Sequence, residues 1–291
     1  MSFKIHKFDP KVLNEKRKNY GPVTCVFIGR RGTGKSTLVS DILYHIRNIP
    51  SGMIISGTEG SNSFYSKYLP DLFIHDEFNP ELIKQLISRQ KKLLMEMKNK
   101  DDPIERMNLD TLLLLDDLGF DNKWTRDKNI RGIFMNGRWY RILCLITAQY
   151  CMTIPPDLRG NVDYVFLLKE NIVDEQKKLY KYYFGMFDKF DTFRQVLMQC
   201  TENHECLVLD NTSRSQKIED CVFWYKATPN RQFRIGSKKL WEYHNAHYNN
   251  KYMLKTITEK PEKSVSINIS KTGKAKKPTE DKKSKTTNKK K

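Results

Sequence analysis

The segment Gly29-Arg30-Arg31-Gly32-Thr33-Gly34-Lys35-Ser36 spells G-x-x-x-x-G-K-S and runs on into Thr37. No other pattern in the chain constrains the fold as much, because this one works only between a strand and a helix. Both flanks fit. Val23-Thr24-Cys25-Val26-Phe27-Ile28 is short, apolar and β-branched, as a buried parallel strand should be. After the loop, Leu38, Val39, Ile42, Leu43 and Ile46 recur at a helical period. The glycines let the backbone curl so that successive N–H groups face an anion, and the start of the helix adds its positive end. Lys35 can reach the β- and γ-phosphates of a nucleotide, and the Ser36 hydroxyl can ligate Mg2+.

Alternating strand-like and helix-like segments follow. Met53–Ser56, Leu72–His75, Leu112–Leu115, Ile142–Ala148 and Tyr164–Leu168 read as strands. Pro80 to about Lys98 reads as a helix after an Asn79 cap, and Ile130–Trp139 as another. Glu205–Asp210 and Val222–Tyr225 read as edge strands or an added hairpin. This alternation predicts an α/β P-loop NTPase domain of the RecA/ASCE kind, a mostly parallel sheet flanked by helices. The domain is expected over residues 22–250, between a basic N-terminal arm, 1–21, and a Lys-rich tail, 251–291.

Leu112-Leu113-Leu114-Leu115-Asp116-Asp117 carries the next piece of chemistry. A core strand delivers the two acids to its C-terminal edge, where open α/β sheets bind ligands. Asp116 is expected to hold Mg2+ opposite Ser36, and Asp117 to act as general base on the attacking water. Glu59, just past another strand, is the competing base. Gln149 ends the strand 142–148 and can sense the γ-phosphate or orient water. About 90 residues separate the first strand from Asp117, which leaves room for an extra strand between the two motifs' strands in space. Arg138, Arg141 and Arg159 are candidates for an arginine that completes a neighbour's site.

The net charge of +18 is unevenly placed. Residues 251–291 hold 14 lysines against four acids, a net +10, leaving +8 for the first 250 residues. A basic excess in both parts points to a polyanion such as DNA or RNA, although a Lys-rich tail can also serve solubility alone. The tail is too poor in large apolar residues to offset its ordering entropy and is expected to be disordered. No apolar run approaches the length of a membrane helix, and the N-terminus lacks a signal-peptide core. Cys200, His204, Cys206 and Cys221 lack zinc-knuckle spacing and read as structural. The aromatic residues around 178–187 and Phe223-Trp224-Tyr225 read as packing residues. A GTP switch would need Asn-Lys-x-Asp, and Asn122-Lys123-Trp124-Thr125 lacks the final acid. A small-molecule P-loop kinase, or a helicase or translocase not tied to packaging, remains an alternative.

Together these pieces resemble the DNA-packaging ATPases of nucleocytoplasmic large DNA viruses, the poxvirus-type branch of the FtsK–HerA superfamily. The resemblance rests on the glycine loop, the Leu-Leu-Leu-Leu-Asp-Asp strand, and Asn136-Gly137-Arg138 leading into Ile146-Thr147-Ala148-Gln149-Tyr150. It also rests on the run Ile154-Pro155-Pro156-Asp157-Leu158-Arg159-Gly160-Asn161-Val162-Asp163-Tyr164-Val165-Phe166, and covers residues 22–235. It implies an ATP- and Mg2+-dependent motor that moves double-stranded DNA into a capsid. Such a motor forms a ring, a pentamer or hexamer, and docks on the capsid or a portal-like site. It implies Gln149 as sensor and Arg138 as trans-acting finger, with Arg159 second. It places the protein in the virion and in the viral factory of the host cytoplasm. The Asp-Asp ending, where many relatives have Asp-Glu, and the long tail depart from the family pattern.

Overall fold

The computed structural model describes residues 4–98, 108–120 and 122–249. The expected tail, 251–291, lies outside them. In chain order the strands are β1 (His6–Lys7), β2 (Thr24–Ile28), β3 (Ser51–Ser56), β4 (Ile74–His75), β5 (Thr111–Asp116), β6 (Ile142–Ala148), β7 (Tyr164–Leu167), β8 (Glu205–Asp210) and β9 (Val222–Lys226). The helices are α1 (Lys11–Tyr20), α2 (Lys35–His45), α3 (Glu59–Asn62), α4 (Pro80–Lys98), α5 (Lys128–Asn136), α6 (Pro156–Arg159), α7 (Val173–Tyr182), α8 (Phe190–Cys200), α9 (Ile218–Cys221) and α10 (Lys238–His247).

Among the described residues the strands form one sheet in the order β1-β9-β8-β7-β2-β6-β5-β3-β4. All neighbours pair parallel except that β8 runs antiparallel to both β7 and β9. The central strands are buried on both faces because α/β crossovers put helices on each side. Alternate side chains divide between two cores. Val26, Leu113, Leu115, Cys144, Ile146 and Val165 point to one. Cys25, Phe27, Leu112, Leu114, Leu145 and Phe166 point to the other. Phe27 stacks on Phe166 with ring centroids 4.8 Å apart. Burial of each such side chain contributes about 1.5–3 kcal/mol.

The extra strand between the two motifs' strands is β6, which separates β2 from β5. It comes after the acidic motif in the chain. The stretch between the motifs supplies β3 and β4, which extend the sheet outward on the far side of β5. Local signals account for most element ends. The Asn79 carboxamide accepts the Glu81 N–H at 2.9 Å and starts α4. Asp127 accepts from Asn129 N and Ile130 N at 2.8 and 3.0 Å, so α5 begins at Lys128, before Ile130. It ends at Asn136, short of Trp139, as the chain turns into β6 through Arg141 at φ +58°. The expected strand 72–75 keeps only Ile74 and His75, because Asp71–Phe73 form a 3-10 turn after Pro70.

The N-terminal segment belongs to the packed domain from Lys4 on and is not a separate basic arm. β1 pairs with β9, placing His6 opposite Phe223. Phe8 is buried among Tyr164, Phe166, Phe223 and Tyr225, at ring-centroid distances of 5.7, 5.6, 6.0 and 6.0 Å. Two of its basic residues are engaged internally. Buried Arg17 pairs with Asp110 at 2.9 Å, and Lys16 with Asp210 at 3.3 Å. No described helix is long and apolar enough to cross a membrane.

Candidate active site

The C-terminal edges of β2, β5 and β6 bring the predicted residues together. The P-loop joins β2 to α2, and Gly34 stands before α2 at φ +97°, a conformation that only glycine adopts without strain. Gly29 is held by crowding, since a Cβ there would lie 2.8 Å from both Leu168 Cβ and Thr33 Oγ1. Lys35 Nζ donates to the loop's own carbonyls, 2.5 Å from Gly29 O and 3.1 Å from Arg30 O. Burial lowers its pKa, and the carboxylates of Asp117 and Asp116 oppose that shift. Its ammonium therefore sits in the field of both acids. Ser36 and Thr37 occupy the first turn of α2, with Ser36 exposed toward solvent.

Thr147 organises the acids. Its Oγ1 donates to Asp116 Oδ1 at 2.7 Å and accepts the Asp117 N–H at 2.9 Å. Ser56 Oγ donates to Asp116 Oδ2 at 3.3 Å, and Gly57 N–H donates to the Asp116 carbonyl at 3.3 Å. Burial raises the pKa of Asp116. Its side-chain hydrogen bonds come from neutral hydroxyls, which do not cancel the buried charge. Together with the Ser36 hydroxyl it forms a hard-oxygen donor set suited to Mg2+. Asp117 leaves the strand at φ +50°, which Asp tolerates better than most side chains. Gln149 Nε2 donates to Asp117 Oδ1 at 2.6 Å, coupling the expected sensor to the expected base.

Glu59 is occupied elsewhere. Its buried carboxylate accepts from Tyr65 N at 2.9 Å, Ser66 N at 3.0 Å and Ser66 Oγ at 3.1 Å, closing the loop after α3. The three arginines are also engaged away from the P-loop. Arg138 pairs with Asp163 at 3.0 Å and Arg141 with Asp110 at 2.7 Å, both at the edge where β6 and β7 begin. That edge lies one strand length from the phosphate site, about 20 Å. Buried Arg159 donates to Ile154 O at 2.8 Å and lies over the Tyr182 ring at 4.5 Å.

Sequence reasoning did not assign a role to Thr147 or Ser56. The available signal was a polar residue near the C-terminal end of each apolar strand. It also missed an open cavity of about 1600 Å3 beside Asp117 and Gln149, whose wall includes Lys123, Arg126, Arg131 and Lys178. Lys123, Arg126 and Arg131 fall within nine residues, a local basic cluster that could have announced them, while Lys178 comes from α7.

Comparison with known proteins agrees with this geometry. An uncharacterized protein of Acanthamoeba polyphaga mimivirus is 40% identical over 228 residues, covering 78% of this chain and 80% of its own. An uncharacterized protein of Invertebrate iridescent virus 6 is 35% identical over 257 residues, covering 86% and 96%. Among solved structures, the genome packaging NTPase B204 from Sulfolobus turreted icosahedral virus 2 in complex with AMPPCP shares the fold. Its TM-score is 0.51 at 17% identity, over 72% of this chain and 99% of that one. The pCW3 conjugation coupling protein TcpA aligns with TM-score 0.52 at 15% identity, over 88% and 75%. The family model described as poxvirus A32 protein matches residues 7–223, a span that runs from β1 to β9 and includes the phosphate loop, both acids and Gln149. On that match and on its P-loop ATPase fold, the chain belongs to the poxvirus A32 protein family.

Proposed function

We propose that this protein is an ATP-driven motor that translocates double-stranded DNA into a viral capsid. The observation that carries the reading is the convergence of Lys35, Asp116, Asp117 and Gln149 at one sheet edge, in a member of this family.

In this reading the N–H groups of residues 29–37 and the Lys35 ammonium hold the β- and γ-phosphates. Lys35 exchanges its contacts with Gly29 O and Arg30 O for phosphate oxygens. Ser36 and Asp116 would hold Mg2+, which when bound neutralises charge developing on the phosphates. Asp117 accepts a proton from the attacking water, and Gln149 holds the Asp117 carboxylate and reports on the γ-phosphate. Arg138 acts in trans. Its edge cannot reach its own phosphate site, and in a ring of five or six subunits it completes the neighbour's. The cavity beside Asp117 leaves space for such a group to enter.

The polyanion that a +18 chain attracts is then the DNA backbone, gripped through phosphates with little regard to base sequence. The capsid supplies the docking site, and the work is done in the cytoplasmic factory of the infected cell and at the virion. The deciding experiment is steady-state ATP hydrolysis with and without double-stranded DNA, at low and high salt. Stimulation that falls with salt and disappears in Lys35→Ala is the expected result. Turnover indifferent to DNA would overturn the free-standing motor and turn attention to phosphate acceptors.

A further inference from the structure

A second cavity, of about 680 Å3, runs along the P-loop from Gln149 and Tyr150, at the end of β6, to residues beyond β7. Its wall includes Arg30, Arg31 and Thr33 of the loop, Asn171 beyond β7, and Asn203 and His204. The last two form the turn between α8 and β8. This turn reaches the phosphate edge because β8 is antiparallel to its neighbour. Leu207 pairs with Leu167, so the residues that enter β8 stand where β7 ends.

Three observations assign this space a role. The first is direction. Asp116 ends β5 and Asp117 follows it, separated from the P-loop strand by β6, while β7 and β8 lie on the opposite side. A triphosphate with its terminal phosphate toward the acids therefore leaves its nucleoside toward β7 and β8. The second is size, since a cavity of this volume falls in the range of small-molecule pockets. The third is the backbone. Asn203 and His204 are consecutive non-glycine residues at φ +50° and +63°, in a turn closed by Glu205 N–H on Glu202 O at 2.9 Å. Asn and His are among the side chains that enter this region most readily. Such conformations carry a cost, and they concentrate where a site needs them.

Resting on the ATPase reading, we propose that the α8–β8 turn forms the base-and-ribose end of the nucleotide site, with His204 supplying a ring for the base to stack on and Asn203 an amide for its polar edge. An imidazole presents a flat π face to a base. A carboxamide presents a donor and an acceptor side by side. The strand that departs from the parallel pattern thus has a purpose, because it carries this turn to the ligand edge.

Calorimetric titration of the full-length protein with ATP and, separately, with inorganic tripolyphosphate tests the assignment. The variants are Asn203→Gly and His204→Gly, because glycine keeps the positive φ without strain and deletes only the side chain. Thermal melting checks that each variant folds. We expect ATP affinity to fall about tenfold or more, with tripolyphosphate affinity unchanged. Unchanged ATP affinity in both variants would place the base elsewhere and overturn the proposal. An equal fall for both ligands would mean that the turn acts through the P-loop, which also overturns it. Failure of the wild-type protein to bind either ligand would sink the ATPase reading itself.

Discussion

Thr147 has one hydroxyl and two obligations. It donates a hydrogen bond to Asp116 and accepts one from the Asp117 N–H, so the geometry of both acids depends on it. Thr147→Val keeps the shape and removes both bonds. Leaving a buried donor and acceptor unpaired costs about 1–3 kcal/mol. Removal of such an outer partner weakens a metal site about 10- to 100-fold. Urea unfolding and a Mg2+ titration of ATP hydrolysis would register the two effects, and a shift in neither would remove Thr147 from the site. Asp116 makes the opposite case. Burial raises its carboxyl pKa above the ordinary value, so in that window the folded state binds more protons than the unfolded state. Apo stability should therefore fall as pH rises through the range just above the ordinary carboxylate pKa. Asp116→Asn should melt higher than wild type at neutral pH without nucleotide, show less of that pH dependence, and gain no stabilisation from Mg2+ and ATP. A lower apo melting temperature would contradict a charge held here at a cost.

At the scale of elements, most of the central sheet was legible in advance. β2, β5, β6 and β7 are apolar runs buried on both faces, and such runs announce themselves. The P-loop and the paired acids were legible because chemistry fixes both their residues and their spacing. What was not legible depends on partners distant in sequence. Lys16-Arg17-Lys18 reads locally as a basic lead-in, yet Arg17 is neutralised by Asp110, more than 90 residues away. Phe8 is one apolar residue in a polar stretch, and only β7 and β9 make it a core residue. We expect Phe8→Ala to cost about 3–5 kcal/mol in denaturant unfolding. A cost below about 1 kcal/mol would mean that β1 and α1 are only loosely attached. Glu59 was likewise ambiguous, because its place after a strand suits a base as well as a loop cap. The contacts to Tyr65 and Ser66 emerge only in three dimensions.

At the scale of the whole molecule, the phosphate site and Arg138 lie at opposite edges of one sheet. On the proposed reading, a protein built this way completes its chemistry only next to another copy. Arg138→Ala should abolish DNA-stimulated turnover, as should Asp117→Asn. Mixing the two should restore part of it, because some interfaces then pair an intact finger with an intact acid. Absence of rescue in a demonstrated ring would move the role to Arg141 or Arg159. The charge belongs to this scale too, since more than half of the +18 excess lies in residues 251–291 and the remainder is spread over the first 250.

The interposed strand has a mechanical consequence. With β6 between β2 and β5, the phosphate loop and the acids face each other across two strand spacings, about 10 Å. Backbone pairing sets that width, much as the frame of a vice sets the distance between fixed jaws. A nucleotide cannot pull such jaws together without breaking the ladder of hydrogen bonds between them. On the proposed reading, movement linked to hydrolysis therefore comes from whatever is drawn over the opening, with the sheet as the anvil against which a neighbour would close.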